Sequence, residues 1–267
     1  MGSRLRVLQE RDDGRWLRIL APDGTRAWVR SWGTAAVNPL WPVDGVFVTS
    51  TVAKIRARPA RDAAVLVPVT MGCRLQVLPP RRRGYRRVAT PDGRSGWIDA
   101  ASLAPDSLPA SAGFWIPMER RNLHPDPSCF RRGARRSLLA RGRTLLGVAY
   151  RWGGTSPLGL DCSGLVRLLF GLEGIVLPRD SRDQALAMRP FRVPTEMRDV
   201  KAGDLVFFGS RDGVIDHVGI GIGGGSGRFL HASGRVRISS LVVGDPLYEE
   251  TLASRLSMIA RPSWTRL

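Results

Sequence analysis

The 267-residue chain has only two lysines, Lys54 and Lys201, three histidines and three cysteines. Cys73, Cys129 and Cys162 are widely spaced and form no CxxC pair, which argues against a disulfide framework and a structural zinc site. No run approaches the roughly 18 to 20 apolar residues that span a bilayer, so no membrane span is expected. Met1 to Arg6 lacks the apolar stretch of a secretory leader, and the expected location is the cytoplasm. Acidic residues are also scarce: 23 against 41 basic ones leave a formal net charge of +18. The excess is arginine and is uneven, +9 over residues 1–113, +6 over 114–147 and +3 over 148–267. Basic clusters bind phosphates. This bias is one that a GC-rich genome produces without functional demand, so it reads as solvated surface and nucleic acid is not the expected partner.

What is present is an ordinary globular composition with room for two or three domains, and the first half carries an internal repeat. Leu5-Arg6-Val7-Leu8, Gly14, Trp16, Pro22-Asp23-Gly24 and Trp28-Val29 recur as Leu75-Gln76-Val77-Leu78, Gly84, Tyr85, Pro91-Asp92-Gly93 and Trp97-Ile98. The offset is 70 residues before the first turn and 69 after it, so one residue is lost in a loop. Short alternating apolar runs punctuated by Pro-Asp-Gly turns predict small antiparallel barrels. Both copies resemble bacterial SH3-type domains. The second has a lead-in, Gly45 to Pro59, that the first lacks; either the first barrel is incomplete or its start lies upstream of Met1. A proline-rich connector follows, in which Phe114 and Trp115 are candidates to dock on a barrel and His124 is assigned no role.

In the second half, Arg135 to Leu146 reads as a helix closed by Gly147. A Gly- and Pro-rich loop then runs into the apolar stretch Leu165 to Phe170, which predicts a helix closed by Gly171 with Cys162 at its N-terminus. A helix N-terminus and a nearby imidazolium both favour thiolate over thiol, and first-turn N–H groups can hold an oxyanion. His217 and His231 flank the glycine-rich segment 223–227 between two apolar runs, which predicts a hairpin. A hairpin centred on Gly224 sets the two imidazoles opposite each other or nearly so, with His217 as base and His231 as its orienter. Asp216 is a rival orienter, although strand alternation sends it to the other face.

Six motifs in order resemble the NlpC-type, papain-like cysteine peptidases of peptidoglycan. They are Tyr150-Arg151-Trp152-Gly153-Gly154, Asp161-Cys162-Ser163-Gly164, Leu177-Pro178-Arg179-Asp180-Ser181, Ala202-Gly203-Asp204, His217-Val218-Gly219-Ile220 and His231-Ala232. The resemblance covers about residues 134–261. It implies Cys162 as nucleophile, His217 as base and His231 as third member, with Tyr150 beside the nucleophile and Asp161 and Ser163 flanking it. Arg179-Asp180-Ser181 resembles the subset that trims dipeptides from free stem peptides. That likeness implies that Asp180 pairs with the substrate's N-terminal ammonium and Ser181 seats the γ-D-glutamyl part. Asp180 is otherwise a turn residue or helix cap. Two N-terminal barrels recur in that subset, and Gly221 departs from it, standing where relatives often have tyrosine or leucine.

The expected architecture is therefore an α+β papain-like cysteine peptidase domain preceded by two small all-β SH3-like barrels. The divisions are 1–42, 43–105, a connector over 106–133, and 134–267. The expected reaction is hydrolysis of the γ-D-glutamyl to diamino acid bond of a murein stem peptide, releasing L-Ala-γ-D-Glu, with no metal or organic cofactor. The alternatives are an exported endopeptidase of intact wall, a related acyltransferase or amidase, and a non-catalytic wall- or nucleic-acid-binding module.

Overall fold

The structure, a computed structural model, describes residues 5–21, 25–34, 45–90, 93–104, 133–175, 177–210 and 212–262. Pro22 to Gly24, Pro91, Asp92, Phe114, Trp115, His124 and Cys129 lie outside them. The chain divides into two compact units, Met1–Arg121 and Asn122–Leu267. Among the described residues no helix is long and apolar enough to cross a membrane.

Among its described residues the first unit is all β apart from single helical turns. Strands β1 (Arg6–Arg11), β2 (Trp16–Leu20) and β3 (Arg26–Arg30) form an antiparallel meander. A six-stranded sheet follows, from β4 (Val46–Phe47), β5 (Val52–Arg56), β6 (Val65–Thr70), β7 (Arg74–Arg82), β8 (Tyr85–Ala89) and β9 (Ser95–Asp99), in the order β4-β7-β8-β9-β5-β6. The repeat extends to strand register: Val7 pairs with Ile19 as Val77 pairs with Val88, and Trp16 pairs with Arg30 as Tyr85 pairs with Asp99. The missing residue falls in the turn between the first two strands. The first copy needs left-handed backbone at Asp12, Asp13 and Gly14 there, and the second only at Gly84.

Neither copy closes into the expected barrel among the described residues. In the second, β5 meets β9 through a single residue pair, Arg56 with Trp97, and β6 is the free edge of an open sheet, while the chain beside β4 is bridged on its other side through Val48 and Leu103. The first has three strands alone. The lead-in strands β4 to β6 have no counterpart in the described part of the first copy, and burial follows from that. Val48, Ala53, Ile55, Val69, Cys73, Leu75, Val88 and Ile98 form a core in the second copy. In the first copy β1 is exposed throughout, and Ile19 is the buried residue among the described ones. Trp16 is instead covered by Arg30, whose guanidinium stands 4.0 Å over its ring.

The second unit is α+β. Helices α1 (Ala134–Thr144), α2 (Cys162–Leu172), α3 (Ser181–Met188) and α4 (Glu250–Ala253) accompany an antiparallel sheet. Its strands are β12 (Arg192–Val193), β13 (Leu205–Gly209), β14 (Ile215–Gly221), β15 (Arg228–Ser233), β16 (Arg235–Ser240) and β17 (Leu256–Ala260), in the order β12-β17-β13-β14-β15-β16. The two-residue strands β10 (Thr155–Ser156) and β11 (Gly159–Leu160) pair in the loop before α2. Every residue of α2 is buried, as its apolar run requires. The helix runs past Gly171 to Leu172. Its stop is Gly174 at φ +93, whose N–H donates to the carbonyl of Gly171 while that of Ile175 donates to Phe170. Gly221 packs against backbone, since a Cβ there would meet the Lys201 carbonyl oxygen at 2.3 Å.

Core asymmetry between the two repeats is measurable. Ile98→Ala, at a fully buried position, should cost about 2–5 kcal/mol in urea unfolding, and Val29→Ala, its half-buried equivalent, less than about 1.5. Equal losses would contradict the account of an open first copy.

Candidate active site

Asp161 organises the site. Its Oδ1 accepts hydrogen bonds from the Gly164 N–H at 2.7 Å, the Ser163 hydroxyl at 3.3 Å and Arg179 Nη1 at 3.1 Å. Its Oδ2 accepts from the Gly153 N–H at 2.8 Å and from Arg179 Nη2. As N-cap it satisfies a first-turn donor of α2. With the same carboxylate it fixes the loop that carries Tyr150 and the arginine that precedes Asp180. The Ser163 hydroxyl also accepts from Arg179 Nη1 at 2.9 Å. Asp161, Ser163 and Arg179 thus form one cluster at the start of α2, hydrogen-bonded to one another. Glycine is required where this loop is tightest: a Cβ on Gly164 would lie 2.1 Å from the Gly154 carbonyl oxygen.

Cys162 follows the cap as first residue of α2 and is 7% exposed. Its Sγ lies 4.0 Å from the carbonyl oxygen of Asp216 on β14. Burial pushes the thiol above its ordinary pKa, against the pull of the Val218 N–H; the Asp161 charge adds to the rise, and the N–H groups of Ser163 and Cys162 oppose it. The expected stabilisation of thiolate by the helix N-terminus is present but outweighed. Tyr150, 37% exposed, also has its pKa raised, by burial first and then by Cys162 and Asp161, so its phenol keeps its proton.

His217 and His231 meet by a different register from the one expected. Ile220 pairs with Leu230 and Gly221 with Phe229, which centres the hairpin on residue 225 and makes the two histidines diagonal neighbours on one face. In that register the position across from His231 is Gly219. A Cβ there would stand 2.6 Å from the Phe229 ring and 3.3 Å from His231 Cβ, so glycine leaves the diagonal open. His217 Nε2 and His231 Nδ1 are 2.9 Å apart, with the rings edge to face at 89°. His231 is fully buried, and its Nε2 lies 3.0 Å from the Ser239 hydroxyl. Ser239 was not singled out from the sequence. The signal is the turn at Ser233-Gly234-Arg235, which pairs His231 with Arg237 and so makes residue 239 its diagonal neighbour.

One assignment of protons suits the whole chain. The His231 Nε2–H donates to Ser239, His231 Nδ1 accepts from the His217 Nε2–H, and His217 Nδ1 is left as an acceptor for the thiol proton. Phe208 and Phe229 pack against the two rings, with centroids 5.7 Å from His217 and 4.8 Å from His231. Burial lowers the pKa of His217 to about 4, opposed by Asp216 and reinforced by Arg255 and Arg237. Burial, His217 and Arg237 all lower that of His231. Both shifts favour the uncharged forms, thiol and imidazole, over thiolate and imidazolium.

Asp180 occupies the N-cap position of α3 but its side chain makes no capping bond and is exposed. Ser181 is buried in the first turn. The Gln184 side-chain amide donates to the carbonyls of Ser163 and Pro178, at 3.0 and 2.9 Å, and ties α3 to α2. Among the described residues no group of His, Cys, Asp or Glu is arranged to hold a metal.

Residues 147–256 match the sequence model described as the NlpC/P60 family. The chain is 27% identical over 262 residues to the γ-D-glutamyl-L-lysine dipeptidyl-peptidase of Bacillus subtilis (strain 168), covering 93% of this chain and 77% of that protein. It is 30% identical over 211 residues to the protein of the same name from Bacillus cereus (strain ATCC 10987 / NRS 248), covering 78% of this chain and 56% of the relative. The crystal structure of an NlpC/P60 family protein from Bacillus cereus ATCC 10987 superposes with a TM-score of 0.72 at 22% identity, over 97% of this chain and 79% of that one, and shares the fold.

Two results follow from the site. Because His217 loses its basicity only when protonated, kcat/KM should fall only as pH drops through about 4; an acid limb near 6.5 would contradict the buried neutral imidazole. Ser239→Ala should lower kcat by roughly five- to tenfold, the scale of one hydrogen bond, with KM little changed. An unchanged kcat would remove Ser239 from the chain.

Proposed function

We propose that residues 147–256, which match the NlpC/P60 family, form a cysteine peptidase that hydrolyses the γ-D-glutamyl to diamino acid bond of peptidoglycan stem peptides. Cys162 Sγ attacks the γ-carbonyl as its proton passes to His217 Nδ1. The resulting imidazolium is held by a charge-assisted bond from its Nε2–H to His231. The oxyanion is stabilised by the Cys162 N–H and the protonated Tyr150 phenol. His217 then protonates the leaving nitrogen, and water activated by the same histidine frees the acyl part.

The observation that carries the finer reading is Asp180. It stands next to Arg179, which Asp161 fixes beside the nucleophile, and its carboxylate caps nothing. A carboxylate in that position suits a substrate ammonium. The peptide acted on is then a free stem peptide with an unblocked L-alanine amine, and L-Ala-γ-D-Glu is the dipeptide released. Ser181 adjoins the γ-D-glutamyl part, while Asp161 and Ser163 act through the loop they hold. Free stem peptides belong to recycling rather than to wall cleavage, which puts the reaction in the cytoplasm. The β-rich residues 1–105 are accessory in this reading, divided near 42 and joined by 106–133 to the hydrolase.

L-Ala-γ-D-Glu-meso-diaminopimelate incubated with the protein should yield L-Ala-γ-D-Glu by mass spectrometry, and Cys162→Ala should abolish it. No dipeptide, or release undiminished in that variant, would overturn the activity. Asp180→Asn should lower kcat/KM for the free-amine peptide by about tenfold or more, the scale of a charged hydrogen bond. Cleavage of the N-acetylated peptide at the same rate as the free one would remove Asp180 from amine binding.

A further inference from the structure

Among the described residues of the first unit, Arg18, Arg56, Arg82 and Arg87 make no ion pair, and Arg11 meets its neighbour Asp12 at 3.6 Å. Strand alternation decides where these side chains stand. Ile55, Val88 and Ile98 belong to the core of the second copy, so Arg56, Arg87 and Trp97, each one residue away on the same strands, lie on the opposite, outer face of the sheet. Arg87 pairs with Trp97 and Trp97 with Arg56, which gives that face a row of guanidinium, indole and guanidinium across β8, β9 and β5. Arg87 Nη2 donates to the Ser95 hydroxyl at 3.1 Å and Arg56 Nη1 to the Ala63 carbonyl at 2.7 Å, so both guanidiniums are held in place. The adjoining row sets Arg82 beside Tyr85, with Tyr85 the diagonal neighbour of Trp97 at about 7–8 Å.

The first copy repeats this outer pattern. Arg18 pairs with Trp28 as Arg87 pairs with Trp97, and Arg11 pairs with Trp16 as Arg82 pairs with Tyr85. Ile19 is buried on the other face, and Trp28 is 40% exposed. Packing does not account for the repetition, because the described part of this copy buries Ile19 alone while keeping the aromatic and arginine positions of the face that the core does not use. Trp16 lies under Arg30, whereas Trp28, Tyr85 and Trp97 have no guanidinium over their rings among the described residues. Of the residues paired in these rows, only Asp99, opposite Tyr85, is acidic.

We propose that these outer faces bind single-stranded nucleic acid, with unpaired bases stacked on Trp28, Tyr85 and Trp97 and phosphates set against Arg18, Arg56, Arg82 and Arg87. Alternating guanidiniums suit a polyanion, and rings between them suit a ligand with a flat face at each repeat; a single strand has both. A duplex keeps its bases in its own stack and offers these faces phosphate alone. Stem peptides offer carboxylates without a ring to lay on the aromatic side chains. The inference is separate from the hydrolase reading, since every residue in it belongs to the first unit.

Fluorescence anisotropy of labelled oligothymidylate and oligouridylate with the full chain tests it. At physiological salt the dissociation constant should be about 1–100 µM and should rise with salt concentration. Duplex DNA and inorganic polyphosphate, matched for phosphate, should compete at least about fivefold more weakly than the unlabelled strand, the scale of one stacked base. Trp28→Ala and Trp97→Ala should each weaken binding by about fivefold or more. Arg18→Gln and Arg87→Gln should each reduce the slope of log K against log salt by about 0.7, the share of one phosphate on a single strand. No binding, or polyphosphate competing as well as the strand, would overturn the proposal. So would a protein that sediments with purified murein sacculi and leaves the oligonucleotide free in the same mixture. The comparison among ligands needs no variant, so it decides the matter even where Trp97→Ala impairs folding. Release of L-Ala-γ-D-Glu from the stem peptide reports on the hydrolase reading independently.

Discussion

One buried carboxylate holds this site together. Asp161 accepts five hydrogen bonds from four residues, which together fix three parts of the site. The Gly164 N–H fixes the start of α2 and hence Cys162; the Gly153 N–H fixes the loop of Tyr150; Arg179 and Ser163 fix the approach to Asp180. A buried anion costs several kcal/mol unless it is fully paired. Here the pairing is complete, and the energy that burial would cost becomes a constraint on the geometry of its partners. Gly164 follows from the same constraint, because the two backbone segments that Asp161 draws together leave no room for a Cβ there.

A second chain of constraints runs across the sheet. His217, His231 and Ser239 are successive diagonal neighbours on β14, β15 and β16, and each hydrogen bond sets the tautomer of the next ring. Phe208 and Phe229 keep water from the pair, which lowers the pKa of both histidines and makes a neutral resting state the outcome. Arginine is used differently here from what the net charge suggests on first reading. Arg141, Arg179, Arg228, Arg237, Arg255 and Arg261 each face a carboxylate within the second unit. They act as structural cations.

Much of the site was legible in residue order. A glycine- and proline-rich loop running into an apolar stretch placed Cys162 at a helix N-terminus, and two histidines around a turn of four glycines and a serine placed the imidazoles on one face. Register was not legible to the residue, because a loop with left-handed backbone at Gly223, Gly224, Gly225 and Gly227 can centre on either 224 or 225. Ser239 was hidden for the same reason, since its partnership depends on two registers at once. The sequence reading set Asp161 only as a flank of the nucleophile. The structure engages both its oxygens within the protein, a fact of tertiary packing that motif order does not carry. The repeat was read correctly down to its single-residue offset. Barrel closure was not: the second copy has the lead-in strands β4 to β6, and its sheet still ends on an open edge at β6.

The account turns on a neutral Cys162 and His217 joined to a donor chain that ends at Ser239. With three histidines in the chain, ring-nitrogen NMR of histidine-labelled protein reads that state directly. Between pH 5 and 8, His217 and His231 should each show one protonated nitrogen, Nε2, and one unprotonated nitrogen, Nδ1. A doubly protonated His217 at pH 7 that becomes neutral in Cys162→Ala would show a thiolate–imidazolium pair and contradict it.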